Sequence, residues 1–175
     1  GTGAPRVVTA AAAHLRHLAR RFVASLHPSP PTAAQQDWAR ARLGDAEWAL
    51  WSAQSDADRT HSVRVAEDLV GRHGADTPAW VVAAALLHDV GKTDAGLGVT
   101  GRVVAGVLGL MGVTTFPGRV GRHLRYPATG AEHLARAAAD PRVVAWSAQH
   151  HEPSSTWTVP APWAERLAAA DRRAD

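Results

Sequence analysis

An all-α fold is predicted by three features of the chain. Alanine and arginine are abundant in it while β-branched runs stay short. Proline and glycine punctuate it between stretches of helical period. Its 175 residues, none of them cysteine, suffice for one domain with a substantial core held by packing alone. Taken in order, residues 7–26 interleave Arg16, Arg20 and Arg21 with Leu15, Leu18, Phe22 and Val23, as an amphipathic helix does. Pro28, Pro30 and Pro31 end it, and residues 35–51 read as one or two short helices. Ser55 then serves as an N-cap, with Asp58 three residues on and His61, Val65 and Leu69 following at four-residue spacing on one core-facing stripe. Residues 80–87 are apolar all round, which predicts a helix buried among others, with Gly91 as its left-handed stop. Residues 103–113 are apolar with Gly106, Gly109 and Gly112 at every third position, and fall short of the roughly 20 residues that span a bilayer. A further helix starts at Asp140-Pro141 and closes at His150-His151-Glu152. The last, residues 161–175, carries Trp163, Leu167 and Asp171 in line. The seven tryptophans read as core packing, with Trp157, in the loop after the histidine pair, also placed to wall a pocket for a base.

The chemistry is concentrated at the end of the apolar run. His88 and Asp89 follow Leu86 and Leu87 directly, so an imidazole and a carboxylate lose water together and need compensation. His61 and Asp171 lie on the apolar faces of two other helices. An acid near a helix C-terminus opposes the dipole, so Asp171 there calls for a positive partner. Three helices converging on one cation satisfy all four side chains at once, although any one histidine alone reads equally as a packed core residue. Two imidazoles and two carboxylates suit Mn, Fe, Co, Ni or Zn better than Ca or Mg. Lys92, the sole lysine, lies just beyond.

The order His61, His88-Asp89 within Leu86-Leu87-His88-Asp89-Val90-Gly91-Lys92, then Asp171 resembles the HD superfamily of metal-dependent phosphohydrolases, and His-Asp-Val-Gly-Lys is close to its HDIG variant. The resemblance spans residues 58–171 and implies an HD-domain helical bundle over residues 55–175, preceded by an N-terminal helical extension over residues 1–54. It implies that His61, His88, Asp89 and Asp171 hold a metal. A two-metal branch of the family uses further histidines and, in some members, a glutamate four residues before the first His of the pattern, here His61. Here His150-His151-Glu152 resembles its His-His-Glu, whereas Tyr126 stands where a histidine is expected and Ala57 where the glutamate is. His150, His151 and Tyr126 are thus candidates for a second metal or for substrate, with a solvated helix end as the other reading of the histidine pair. The Gly-Tyr-Pro continuation of cyclic di-GMP phosphodiesterases is absent after Glu152.

The expected activity is hydrolysis of a small phosphate ester, a nucleotide or similar, by metal-activated water. Asp89 would orient the water. Lys92 and arginines such as Arg64, Arg122 or Arg125 would neutralise charge on the phosphoryl oxygens. Two other readings are an HD-fold di-iron oxygenase, against which Tyr126 counts, and a nucleotide-binding regulatory module without turnover. A net charge of +3, with eighteen arginines spread along the chain, does not compel nucleic-acid binding. With no secretory signal evident and no spanning segment, the expectation is a cytoplasmic protein, with a homodimer through the N-terminal helices as a plausible assembly. The missing initial methionine leads us to expect a processed or engineered first residue.

Overall fold

The computed structural model of the chain describes residues 29–95 and 126–174, and every regular element among them is helical. The amphipathic stretch 7–26, the glycine-bearing stretch 103–113 and Arg122 and Arg125 lie outside the described residues.

Local chemistry starts each helix. Helix α1 (Ala33–Arg40) opens with a reciprocal cap, in which Thr32 Oγ1 accepts from the Gln35 amide at 3.2 Å and Gln35 Oε1 accepts from the Thr32 amide at 3.0 Å. Helix α2 (Asp45–Ser52) begins at Gly44, whose amide donates to Glu47 at 2.9 Å. The stretch 35–51 thus resolves into two helices. Helix α3 (Asp56–His73) starts at Ser55, whose side chain accepts from the Asp58 amide at 3.3 Å, the expected cap. It ends at Gly74, which at φ 56° supplies the left-handed turn. Helix α4 (Ala79–Leu87) follows Pro78, and all of its residues from Trp80 to Leu87 are buried. Helix α5 (Tyr126–Arg136) precedes helix α6 (Pro141–Gln149), which starts with Asp140 as cap and proline in the first turn, and has His150 at its C-cap. Helix α7 (Ala161–Ala174) closes the described chain.

Helix α4 is the axis of the bundle. Helices α2, α3, α6 and α7 all pack on it, and α7 also packs on α3. That arrangement explains why α4 can be apolar on every side, and each fully buried leucine or valine contributes about 1.5–3 kcal/mol. Trp51, Trp80 and Trp146 enter the core, while Trp38, Trp48, Trp157 and Trp163 pack partly buried against it. No helix among the described residues is long and apolar enough to cross a membrane.

Gly91 departs from expectation. Helix α4 passes through His88 in right-handed geometry into a 3-10 turn over Val90–Ala95, and Gly91 has no positive φ. Glycine is required there for space: a Cβ would lie 1.9 Å from the Tyr126 carbonyl oxygen and 2.6 Å from the Gly130 amide nitrogen. The turn after His88-Asp89 is therefore pressed backbone to backbone against the first turns of α5.

Candidate metal centre

Three helices deliver the expected ligands to one place. His61 comes from α3, His88 and Asp89 from the end of α4, and Asp171 from α7. His61 Nε2 lies 2.8 Å from Asp171 Oδ1, and His88 Nε2 lies 3.5 Å from that oxygen and 3.4 Å from Asp89 Oδ2. His61, His88 and Asp171 form one group whose ligand atoms fall within 4.8 Å of one another, and Asp89, His150 and His151 form a second. Asp89 reaches both: Oδ2 faces His88, and Oδ1 lies 3.7 Å from His150 Nε2. His150 is thus not a solvated helix end, because it is buried and its Nε2 faces Asp89, whereas His151 is exposed.

The two buried imidazoles are held in one orientation by the backbone. His88 Nδ1 lies 2.9 Å from the Ala85 carbonyl oxygen and His150 Nδ1 lies 3.0 Å from that of Ser147. A carbonyl only accepts, so Nδ1–H donates in each ring and Nε2 carries the lone pair in the neutral form. Both lone pairs then face carboxylate oxygens. Acceptors opposed across 3.4–3.7 Å in a buried site repel unless a proton or cation lies between them. Asp89 Oδ1 is moreover buried without a hydrogen-bond partner among the described residues. Anchored Nδ1–H groups, inward lone pairs and an orphaned carboxylate oxygen fit a divalent metal.

Protons compensate in the metal-free chain. Burial lowers the His88 pKa, but Asp89 and Asp171 outweigh it and raise it to about 9. Burial raises the Asp89 pKa, and Lys92, His88 and His150 together hold it well below the usual carboxylate value. Asp171 is likewise lowered against its burial by hydrogen bonds from His61 and His88. Because the folded-state pKa of His88 lies above its ordinary 6.5, its proton stabilises the fold fully below pH 6.5, and that contribution is lost as pH rises through about 9. The metal-free protein is therefore expected to melt at lower temperature as pH rises across this window. Metal affinity rises over the same window by up to about tenfold per pH unit for one released proton. Calorimetric scans with chelator and with metal check this, since the two Tm curves should diverge with pH. Parallel curves would remove His88 from the centre.

Several side chains act around these ligands. The Lys92 ammonium is hydrogen-bonded to Asp89 Oδ2 and stands 5.0 Å from the centroid of the Tyr126 ring. The Tyr126 hydroxyl bonds to His150 Nε2 at 3.3 Å and to His151 Nε2. Burial first, then the Asp89 charge, raises the Tyr126 pKa well above 10, so the phenol is neutral. Burial and the neighbouring His150 lower the His151 pKa to about 4.

Two residues of the site escaped the sequence. Ser147, fully buried, donates from Oγ to the His88 carbonyl at 3.2 Å while its own carbonyl takes the His150 Nδ1–H, so one residue ties the His88 backbone to the His150 ring. Its place in an apolar stretch was the only signal. Asp58, read as a capping partner alone, is a buried acid that accepts from Ser55 Oγ at 2.5 Å and whose charge Tyr126 feels. Of the phosphate-binding candidates, Arg64 is exposed on α3 and makes no described hydrogen bond or ion pair with either group, and Arg122 and Arg125 lie outside the described residues. Trp157 does not offer its indole nitrogen to a pocket. Nε1 donates to the Gln149 and Glu152 carbonyls at 2.9 and 3.0 Å, clamping the turn that follows α6.

Comparison with known proteins brings no match, whether among family models, curated proteins or solved structures.

Proposed function

We propose that the chain is a metal-dependent phosphohydrolase acting on a small phosphate ester, a nucleotide or similar. The observation that carries this reading is the pair of opposed donor groups joined by Asp89, with an orphaned buried oxygen on the carboxylate they share. The resemblance of His61, His88-Asp89 and Asp171 to the HD pattern supports it, as do two imidazoles whose lone pairs are aimed by backbone carbonyls.

His61, His88, Asp89 and Asp171 would hold a divalent Mn, Fe, Co, Ni or Zn ion. Such an ion lowers the pKa of a coordinated water toward neutrality and polarises a phosphoryl oxygen. Asp89 is placed to accept a hydrogen bond from the attacking water with one oxygen while the other serves as ligand. Its low pKa keeps it an acceptor throughout the neutral range. Lys92, partly exposed beside Asp89, is placed to turn its ammonium toward a phosphoryl oxygen as negative charge grows there. The substrate we propose is a small soluble molecule met in the cytoplasm, with no part for membrane or nucleic acid.

The test is phosphate release by metal-stripped protein reloaded with each of the five metals, across a panel of nucleoside monophosphates and cyclic nucleotides. Release that needs metal and is lost in Asp89→Asn supports the assignment. Metal uptake without release from any substrate overturns it in favour of a binding module, and two irons per chain with oxygen consumption overturns it in favour of an oxygenase. Lys92→Met is expected to lower kcat about 100-fold while metal content stays at least at the wild-type level, since the substitution removes a competitor for Asp89. Loss of metal in that variant would make Lys92 a structural brace instead.

A further inference from the structure

We propose, building on the metal-centre reading above, that Tyr126 separates the two donor groups in affinity: the chain takes one ion tightly at His61, His88, Asp171 and Asp89 Oδ2, and a second at Asp89 Oδ1, His150 and His151 only by displacing the Tyr126 hydroxyl.

His150 Nδ1 is committed to the Ser147 carbonyl, which leaves Nε2 as the ring nitrogen available to an ion, and the Tyr126 hydroxyl lies 3.3 Å from it. The same hydroxyl is hydrogen-bonded to His151 Nε2. The two nitrogens that would serve a second ion are therefore both engaged by one hydroxyl. An ion bound by both would stand about 2.0–2.1 Å from each. The phenol oxygen, within hydrogen-bond distance of both, occupies that space.

The plug is also hard to move. Tyr126 is 8% exposed, and its carbonyl is pinned against Gly91, where even a methyl group finds no room. Displacing the hydroxyl breaks two hydrogen bonds at a buried site and must be offset by whatever the ion gains. The group nonetheless keeps a pull on cations, because Asp89 Oδ1 is buried there with no hydrogen-bond partner among the described residues. A vacancy for charge and an obstruction to it coexist, which makes this a conditional site.

Calorimetric titration of the metal-stripped full chain with Zn²⁺ alone tests this. Wild type is expected to bind one ion tightly and a second at least about 100-fold more weakly. Tyr126→Phe, which deletes only the hydroxyl, and Tyr126→His, which supplies another ligand, should each tighten the second step by about 10-fold or more and leave the first unchanged. Tyr126 is the only tyrosine in the chain, so a [13Cζ]tyrosine label gives one resonance. It should hold still through the first equivalent and move with the second. A weaker second step in Tyr126→Phe would make the phenol a ligand and overturn the proposal, as would an unchanged second step or equal affinities in wild type. Thermal melts establish that each variant is folded, and the Phe variant carries the test if the His variant is not. Wild type that binds no ion would sink the metal-centre reading, and this proposal with it.

Discussion

Replacing His88 with alanine is expected to leave the purified protein essentially free of metal, as read by elemental analysis. His88 is 3% exposed, lies between the end of α4 and the two carboxylates, and has its Nε2 within 3.5 Å of both Asp89 Oδ2 and Asp171 Oδ1. The substitution deletes the ligand that lies within 3.5 Å of both carboxylates, leaving Asp89 with Lys92 and Asp171 with His61 and no described side chain to join the two. Ser147→Ala provides the internal scale. It removes the hydroxyl that fixes the His88 carbonyl and leaves every ligand present, so it should weaken binding by roughly 10–100-fold, the usual effect of losing an outer partner. His88→Ala must exceed that. A His88→Ala protein that is folded and as fully loaded as wild type would show that the ion, if any, is held elsewhere.

The second large effect is on stability. Gly91→Ala puts a methyl carbon 1.9 Å from the Tyr126 carbonyl oxygen, 2.6 Å from the Gly130 nitrogen and 2.9 Å from the Tyr126 carbonyl carbon. All three are backbone atoms, so no flexible side chain can yield. The turn Val90–Ala95 must separate from α5, which we expect to destabilise the protein by about 3 kcal/mol or more. For a chain of this size that is a fall in Tm of roughly 6–12 °C. The same movement shifts Lys92 and Tyr126, so metal affinity should fall with stability. Urea denaturation and a thermal melt read the effect, and an unchanged midpoint would mean the turn and α5 are not in contact.

What the sequence made legible follows from the kind of interaction each residue makes. Helices α3 and α4 could be read because their signals are local: a serine cap on one, an uninterrupted apolar run on the other. The convergence of His61 and Asp171 on His88-Asp89 was readable because four-residue spacing places each on a buried stripe. Gly91 was misread because glycine answers two different demands, positive φ and close backbone approach, and a single sequence does not distinguish them. Ser147 was invisible for a related reason. A serine in an apolar helix carries no mark of what its hydroxyl meets, and the His88 carbonyl it serves is 59 positions away. Tyr126 was noticed only against a family pattern. Its contact with both imidazoles depends on how α5 is seated on α6 and on the turn after α4, which no local spacing encodes.

The central claim is that side chains from α3, α4 and α7 share one cation. Anomalous scattering from a crystal of the full chain soaked in Zn²⁺, collected on both sides of the zinc edge, tests it most directly. The account predicts a peak about 2.0–2.2 Å from His61 Nε2, His88 Nε2 and an oxygen each of Asp89 and Asp171. A map with no peak among those four side chains, while zinc scatters strongly elsewhere on the molecule, would contradict it.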